Sequence, residues 1–101
     1  YIGEQAALAA AATAARTPVA RQEVEFMRYR DVVAFTGNQT HTIDLDREVY
    51  FVVTSATFVG RRGSPTCLSY MTVIDATTGV GLSVSCGDGV WPSKLPSAFS
   101  R

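Results

Sequence analysis

The chain of 101 residues is 47% hydrophobic and 18% charged, and nine basic side chains balance nine acidic ones. This length and composition predict a single globular domain spanning residues 1–101 and exclude a disordered chain. The balanced charge excludes nucleic acid and an anionic membrane surface as expected partners, because both require a concentrated basic face.

The first predicted element is an alanine-rich helical extension, residues 1–17. Residues 5–16, QAALAAAATAAR, are nearly all strong helix formers, but Leu8 is the only large apolar side chain among them, so this helix has little to bury. No apolar run approaches the ~20 residues that a membrane span needs, so we expect membrane contact only through a helix outside this sequence. A start at Tyr1 without a methionine indicates a processed or truncated product.

A longer helix is predicted over residues 19–35, after the Thr17-Pro18 punctuation, with Gly37 as its C-terminal cap. A helical wheel places the apolar side chains in two stripes rather than one. Two stripes indicate either a helix sunk deep in the domain or a helix that packs on its own sheet and on a neighbouring molecule. On the second interpretation the candidate interface residues are Ala20, Val24 and Met27 on one stripe, and Phe26 and Val33 on the other.

Four strands are predicted downstream, over residues 42–45, 49–59, 66–74 and 79–86. Short turn segments join them, which favours an antiparallel meander. The last segment, residues 87–101, contains two glycines and two prolines and is expected to be irregular. The predicted fold class is therefore α+β: a long N-terminal α-helix packed on a four-stranded antiparallel β-sheet, followed by an irregular tail.

The only two cysteines, Cys67 and Cys86, bound the last predicted hairpin. If Val73 lies opposite Val80, the same register places Cys67 opposite Cys86, within disulfide reach. A shift by two residues would keep the two cysteines on one face as diagonal neighbours, whereas a shift by one residue would place them on opposite faces. We predict a Cys67–Cys86 disulfide and hence an oxidising, extracytoplasmic compartment, either the periplasm or the cell surface. Free buried thiols in a reducing cytosol are the alternative.

No catalytic constellation emerges from the sequence, and we expect neither an enzyme nor a cofactor. His41 is the single histidine and is predicted to lie in a solvated turn. Asp44, Asp46 and Glu48 share one side of a predicted strand, but their spacing lacks the glycine and long loop of a calcium-binding hand. A solvated polar face is the favoured interpretation. Two cysteines without a second pair make no zinc site.

Three further residues are candidates for contact with a partner. Arg61 and Arg62 lie at the tip of the predicted turn GRRGSP, where paired guanidinium groups can grip a carboxylate or a phosphate. Trp91, in GVWP, can act as an interface anchor or as a stacking platform for a sugar. A turn kept soluble by its arginines and a tryptophan that fills the edge of the core are the simpler alternatives.

With these elements, the outline resembles the globular part of a type IV pilin or pseudopilin. Residues 20–35, ARQEVEFMRYRDVVAF, are similar to the post-membrane helix of pilin-related accessory proteins of type IVb systems, and SCGDGVWP is similar to the C-terminal tails of tip-located minor pilins. The resemblance implies a minor or accessory subunit of a pilus or pseudopilus. Its implied partners are other pilin or pseudopilin subunits or a host or surface ligand, and it implies no catalytic residues.

Two other function classes stay open at this point. One is a soluble secreted binding module, lectin-like or toxin-associated, in which Tyr70, Trp91, Arg61 and Arg62 contact the ligand. The other is an inhibitor or immunity protein that blocks an enzyme with its disulfide hairpin. The residues encoded before Tyr1 would separate the first from a pilin, because a conventional signal peptide favours the secreted module, whereas a short basic leader and an apolar helix favour the pilin.

Overall fold

The structure, a computed structural model, describes residues 1–37, 39–59 and 66–86. Its elements in chain order are α1 (Glu4–Ala12), β1 (Arg21–Arg28), α2 (Tyr29–Thr36), β2 (Glu48–Ser55), β3 (Phe58–Val59), β4 (Thr66–Cys67), β5 (Tyr70–Asp75) and β6 (Gly81–Cys86). Four strands form an antiparallel sheet in the order β1-β2-β5-β6. Strands β3 and β4 form a separate two-stranded ribbon, inserted between β2 and β5.

The central strand β2 is buried on both faces, which explains its unbroken apolar run VYFVV over residues 49–53. One face of the sheet packs against α2, and the other packs against α1. The cluster on the α2 face consists of Met27, Tyr29, Val32, Ile43, Val49, Phe51, Val53 and Val73. The cluster on the α1 face consists of Ala7, Ala11, Tyr50, Val52, Ile74 and Ala76. The described part of the chain therefore has two small cores separated by one sheet.

The predicted long helix over residues 19–35, packed on the sheet, is wrong. Residues 21–28 form the edge strand β1, and only Tyr29–Thr36 are helical. The helical wheel grouped Val24 with Met27, but the alternation of a strand places Val24 on the α1 face and Met27 on the α2 face. Pairing with β2 along the whole of β1 supplies backbone hydrogen bonds and apolar contacts that outweigh the local preference for a helix.

The C-terminal end of α2 follows the prediction. Gly37 has a φ of 77°, a left-handed conformation that glycine adopts at little cost, and its N–H donates a hydrogen bond to the Val33 carbonyl at 2.8 Å. At the other end, the Arg28 N–H donates to the Asp31 carboxylate at 3.3 Å. The helix is therefore limited to residues 29–36 by the change from strand on one side and by glycine on the other.

Two further predictions change. The alanine-rich helix α1 ends at Ala12 and is not a free extension, because Ala7 and Ala11 are buried against the sheet. Residues 42–45 form turns rather than a strand, and the Asp44 carboxylate accepts the N–H of Asp46 at 2.8 Å. The position of the expected first strand is taken by β1, so a four-stranded antiparallel sheet forms from a different set of segments.

Candidate interaction site

The predicted disulfide is present. It joins Cys67 in β4 to Cys86 at the end of β6, with the two Cα atoms 5.7 Å apart, and so links the two-stranded ribbon to the four-stranded sheet. The expected register of the hairpin was wrong, because Cys86 lies opposite Tyr70. The chain bends at residues 68 and 69, between β4 and β5, and this bend brings Cys67 to Cys86 in spite of the shift. The disulfide indicates an oxidising environment.

An uncharged groove of about 920 Å³ opens beside the disulfide, between the second half of α1 and the strands β5 and β6. It exists because α1 packs chiefly on β1, β2 and β5, so no described helix covers this face of β6. One wall of the groove is formed by small side chains: Ala10 and Ala11 of α1, and Ala14 of the segment that follows the helix. The floor includes Thr72, Ile74 and Val84. None of the described residues that line the groove is charged.

Hydrogen bonds to two carbonyls of α1 fix the helix wall in place. The hydroxyl of Tyr70 donates to the Ala11 carbonyl at 2.6 Å. The side-chain amide of Gln22 donates to the Leu8 carbonyl at 3.0 Å and to the Thr54 hydroxyl at 3.2 Å. Because the Tyr70 ring is fully buried, the pKa of its phenol is raised. The prediction that Tyr70 contacts a ligand is therefore wrong, and the residue instead positions the wall of the groove.

Thr72 lies in the floor of the groove, and its hydroxyl has no hydrogen-bond partner among the described residues. The side chain is 8% exposed, and its neighbours across the two adjacent strands are Val52 and Val84, neither of which offers a polar side-chain atom. Most buried hydroxyls in proteins are paired. Because the Thr72 oxygen is itself buried, its loss of hydration is not offset by a hydrogen bond to any described residue, which disfavours folding.

The two edges of the described sheet differ in charge. Strand β6, with the sequence GLSVSC, carries none, and Val84 within it is 45% exposed. The opposite edge, β1, carries four charged side chains: Arg21, Glu23, Glu25 and Arg28. Charges on an edge strand normally prevent its free backbone groups from pairing with another chain. Of the two edges, β6 lacks this protection.

The turn that leads into β6 is fixed by Asp75. Its buried carboxylate accepts the N–H groups of Thr77 and Thr78, each at 2.8 Å, and the Arg47 side chain lies 3.0 Å away. The N–H of Thr78 makes the largest contribution to a lowered pKa of Asp75, with further contributions from Thr77 and Arg47. Gly79, with a φ of 79°, completes the turn. The hairpin that carries the unprotected edge is thus held firmly at its closed end.

The residues predicted to form a helical interface are dispersed. Ala20 is exposed just before β1, and Val24 and Phe26 are half-buried on the α1 face. Met27 is buried in the core of the α2 face, and Val33 is half-buried on α2. The helix that motivated this grouping is absent, so these residues form no common stripe. A contact role for any one of them stays a prediction.

Three of the sequence-predicted contact residues, Arg61, Arg62 and Trp91, lie outside the described residues, and their roles stay predictions. Among the residues that are described, His41 is exposed in a turn.

The three carboxylates Asp44, Asp46 and Glu48 do not share one strand face, because Asp44 and Asp46 lie in the loop before β2. Asp46 pairs with Arg30, whose pKa is raised by that hydrogen bond, and Glu48 accepts a hydrogen bond from the Tyr1 hydroxyl at 2.7 Å. Within the described ranges, no group of three or more histidine, cysteine, aspartate or glutamate residues is arranged to hold a metal ion.

Comparison with protein-family models, with curated proteins and with solved structures found no match to this chain. Among the described helices, none is long and apolar enough to cross a membrane. The site is therefore defined by its own geometry: an uncharged groove beside a strand edge that carries no charged side chain. Sequence reasoning missed Ala10, Thr72 and Val84. The absence of charge from residues 79–86 was a signal for Val84, whereas no local pattern marked Ala10 or Thr72.

Proposed function

We propose that this domain is an extracytoplasmic interaction subunit that binds a segment of another polypeptide at the groove and along β6. The observation that carries the proposal is that an unprotected strand edge and an uncharged groove lie on the same strand. A polypeptide segment matches both features, because its backbone can pair with the edge while its side chains enter the groove.

The chemistry of the groove favours this class of ligand over two others. The described lining contains no basic side chain to bind an anion and no aromatic ring on which a sugar would stack. It offers aliphatic side chains and the hydroxyls of serine and threonine residues. A segment with small apolar and hydroxyl side chains complements such a surface. The lectin-like and the inhibitor alternatives stay predictions that no contact in the described residues favours.

The disulfide supports the proposed location. A covalent link between Cys67 and Cys86 is maintained in oxidising compartments and is rare in a reducing cytosol, so we place the domain in the periplasm or at the cell surface. Alkylation of the native protein without reduction tests this placement. We expect neither sulfur to react; modification of both would contradict the proposed compartment.

The pilus or pseudopilus role stays a finer prediction within this class. Its strongest structural argument was a long helix on the sheet, and residues 21–28 are a strand instead. What still supports it is the disulfide and the four-stranded antiparallel sheet. The residues encoded upstream of Tyr1 provide the test: a short basic leader followed by an apolar segment of ~20 residues supports a pilin-like subunit, whereas a conventional signal peptide contradicts it.

Site-specific photo-crosslinking in cells that make the protein tests the interaction itself. A photoreactive phenylalanine derivative replaces Val84, which is exposed, lines the groove and lies opposite Thr72 on the α1 face. The control position is Thr42, which is exposed in a turn next to Ile43, on the opposite face of the sheet. We expect an adduct with a defined polypeptide segment, sequenced by mass spectrometry, from Val84 and not from Thr42. Equal adducts from both positions, or none from Val84, would contradict the proposed function.

A further inference from the structure

The charge difference between the two sheet edges bears on what can pair with each of them. When two copies of one strand pair antiparallel about a two-fold axis, each residue faces a residue at a mirrored position in the other copy. A charged residue then meets a like charge whenever the mirrored position in the same short sequence carries the same sign. Like charges placed directly opposite each other destabilise the pair.

Such self-pairing of strand β1 is disfavoured in two of the registers that overlap the most of its residues. In the register centred on Val24, Glu23 of one copy faces Glu25 of the other. In the register that pairs all eight residues, Arg21 of one copy faces Arg28 of the other. The charges on this edge therefore oppose a second copy in these extensive pairings.

Strand β6 has no such conflict. Its six residues include no charge, so no centred register brings like charges together. In the register centred on Val84, the two Val84 side chains lie next to each other, and Ser83 of each copy faces Ser85 of the other. Val84 is 45% exposed, and an apolar pair across neighbouring strands is a stabilising contact. The side chain that the isolated domain leaves open is therefore covered by its own copy.

We propose that the segment bound at β6 is β6 of a second copy of this chain, so that two four-stranded sheets join into one of eight strands. This inference rests on the proposed function and names its partner. The two-fold axis is perpendicular to the joined sheet, so both α1 helices lie on the same face. The two grooves meet above the paired β6 strands, and each copy supplies half of the lining of a single longer groove.

The size of the contact sets the strength that we expect. Pairing along the six residues of β6 buries a small area compared with the ~1,600 Å² of a standard stable interface. The dimer is therefore weak and reversible, with dissociation in the micromolar range or above. A permanent dimer is not expected from this edge alone.

Analytical ultracentrifugation of the oxidised, full-length protein from ~1 µM to ~1 mM tests the inference over the range expected of a weak interface. We expect a concentration-dependent equilibrium between monomer and dimer. In the Val84→Lys variant, two like charges would meet at the axis, and the dimer should disappear. The matched control, Thr42→Lys, adds the same charge in an exposed turn away from β6 and should dimerise like the unmodified protein. Circular dichroism confirms that both variants are folded.

A second measurement does not depend on any substitution. Hydrogen exchange of backbone amides in residues 81–86 should slow as the protein concentration rises, while exchange in residues 21–28 should not change. A protein that stays monomeric at all concentrations, or a dimer that is unaffected by Val84→Lys, overturns the inference. If the photoreactive group at Val84 links to a different polypeptide or to residues 87–101 and no dimer forms, the second copy is the wrong occupant. Only a link to a different polypeptide leaves the proposed function standing.

Discussion

Replacement of both cysteines by serine, Cys67→Ser with Cys86→Ser, removes the covalent link between the β3–β4 ribbon and the end of β6. The two residues are separated by 19 positions along the chain. The chain-entropy relation for a loop of this length gives a loss of about 3 kcal/mol in the free energy of unfolding at 25 °C. For a domain of this size, 1 kcal/mol corresponds to a change of ~4–8 °C in Tm, so we expect Tm to fall by ~12–24 °C.

Thermal unfolding followed by circular dichroism measures this effect. The unmodified protein is compared in the oxidised state, in the presence of a reducing agent, and with the double serine variant, which should match the reduced protein. The control is the double variant with the reducing agent, whose Tm should not respond to it. Reduction that leaves the Tm of the unmodified protein unchanged would refute the reasoning, because the ribbon and β6 would then be held together without the disulfide.

Three further predictions concern single side chains. Tyr70→Phe removes the hydrogen bond to the Ala11 carbonyl and should lower the free energy of unfolding, measured with urea, by about 1 kcal/mol. The exposed control, Tyr1→Phe, should change it by almost nothing. Equal losses would contradict the role of Tyr70 as an anchor of α1. Asp75→Asn should lower the free energy of unfolding by ~1.5–3 kcal/mol at pH 7. Because folding lowers the pKa of Asp75, the stabilisation by its carboxylate is present above pH ~4 and is lost as the pH falls further. Plots of Tm against pH for the two proteins should therefore converge in acid, and parallel plots would contradict the assignment. Thr72→Val replaces an unpaired hydroxyl by a methyl group and should raise the free energy of unfolding by ~1 kcal/mol; a loss would show that the hydroxyl has a partner.

Features that depend on local chemistry could be predicted from the sequence. With only two cysteines in the chain, Cys67 and Cys86 had one possible intramolecular partner each, and the pairing was predicted even though the assumed register was wrong. Gly37 ends a helix because a left-handed φ suits glycine wherever the helix lies. Three of the four segments assigned to strands contribute to the sheet, because runs such as VYFVV favour a buried strand in any context.

The secondary structure of residues 21–28 was decided by tertiary contacts. Their apolar side chains fit two periods, so the local pattern did not distinguish a helix from a strand, and the partner strand β2 decided the outcome by pairing with β1 along its length. The groove has the same kind of origin. It exists because α1 packs chiefly over three of the four strands, and no other helix in the described part of the chain lies over that face of β6. The sequence by itself determined which residues can form covalent links, helix caps and buried strands, since those are properties of short segments. Contacts between segments distant in the chain decided which surfaces meet and which strands lie at the edges of the described sheet.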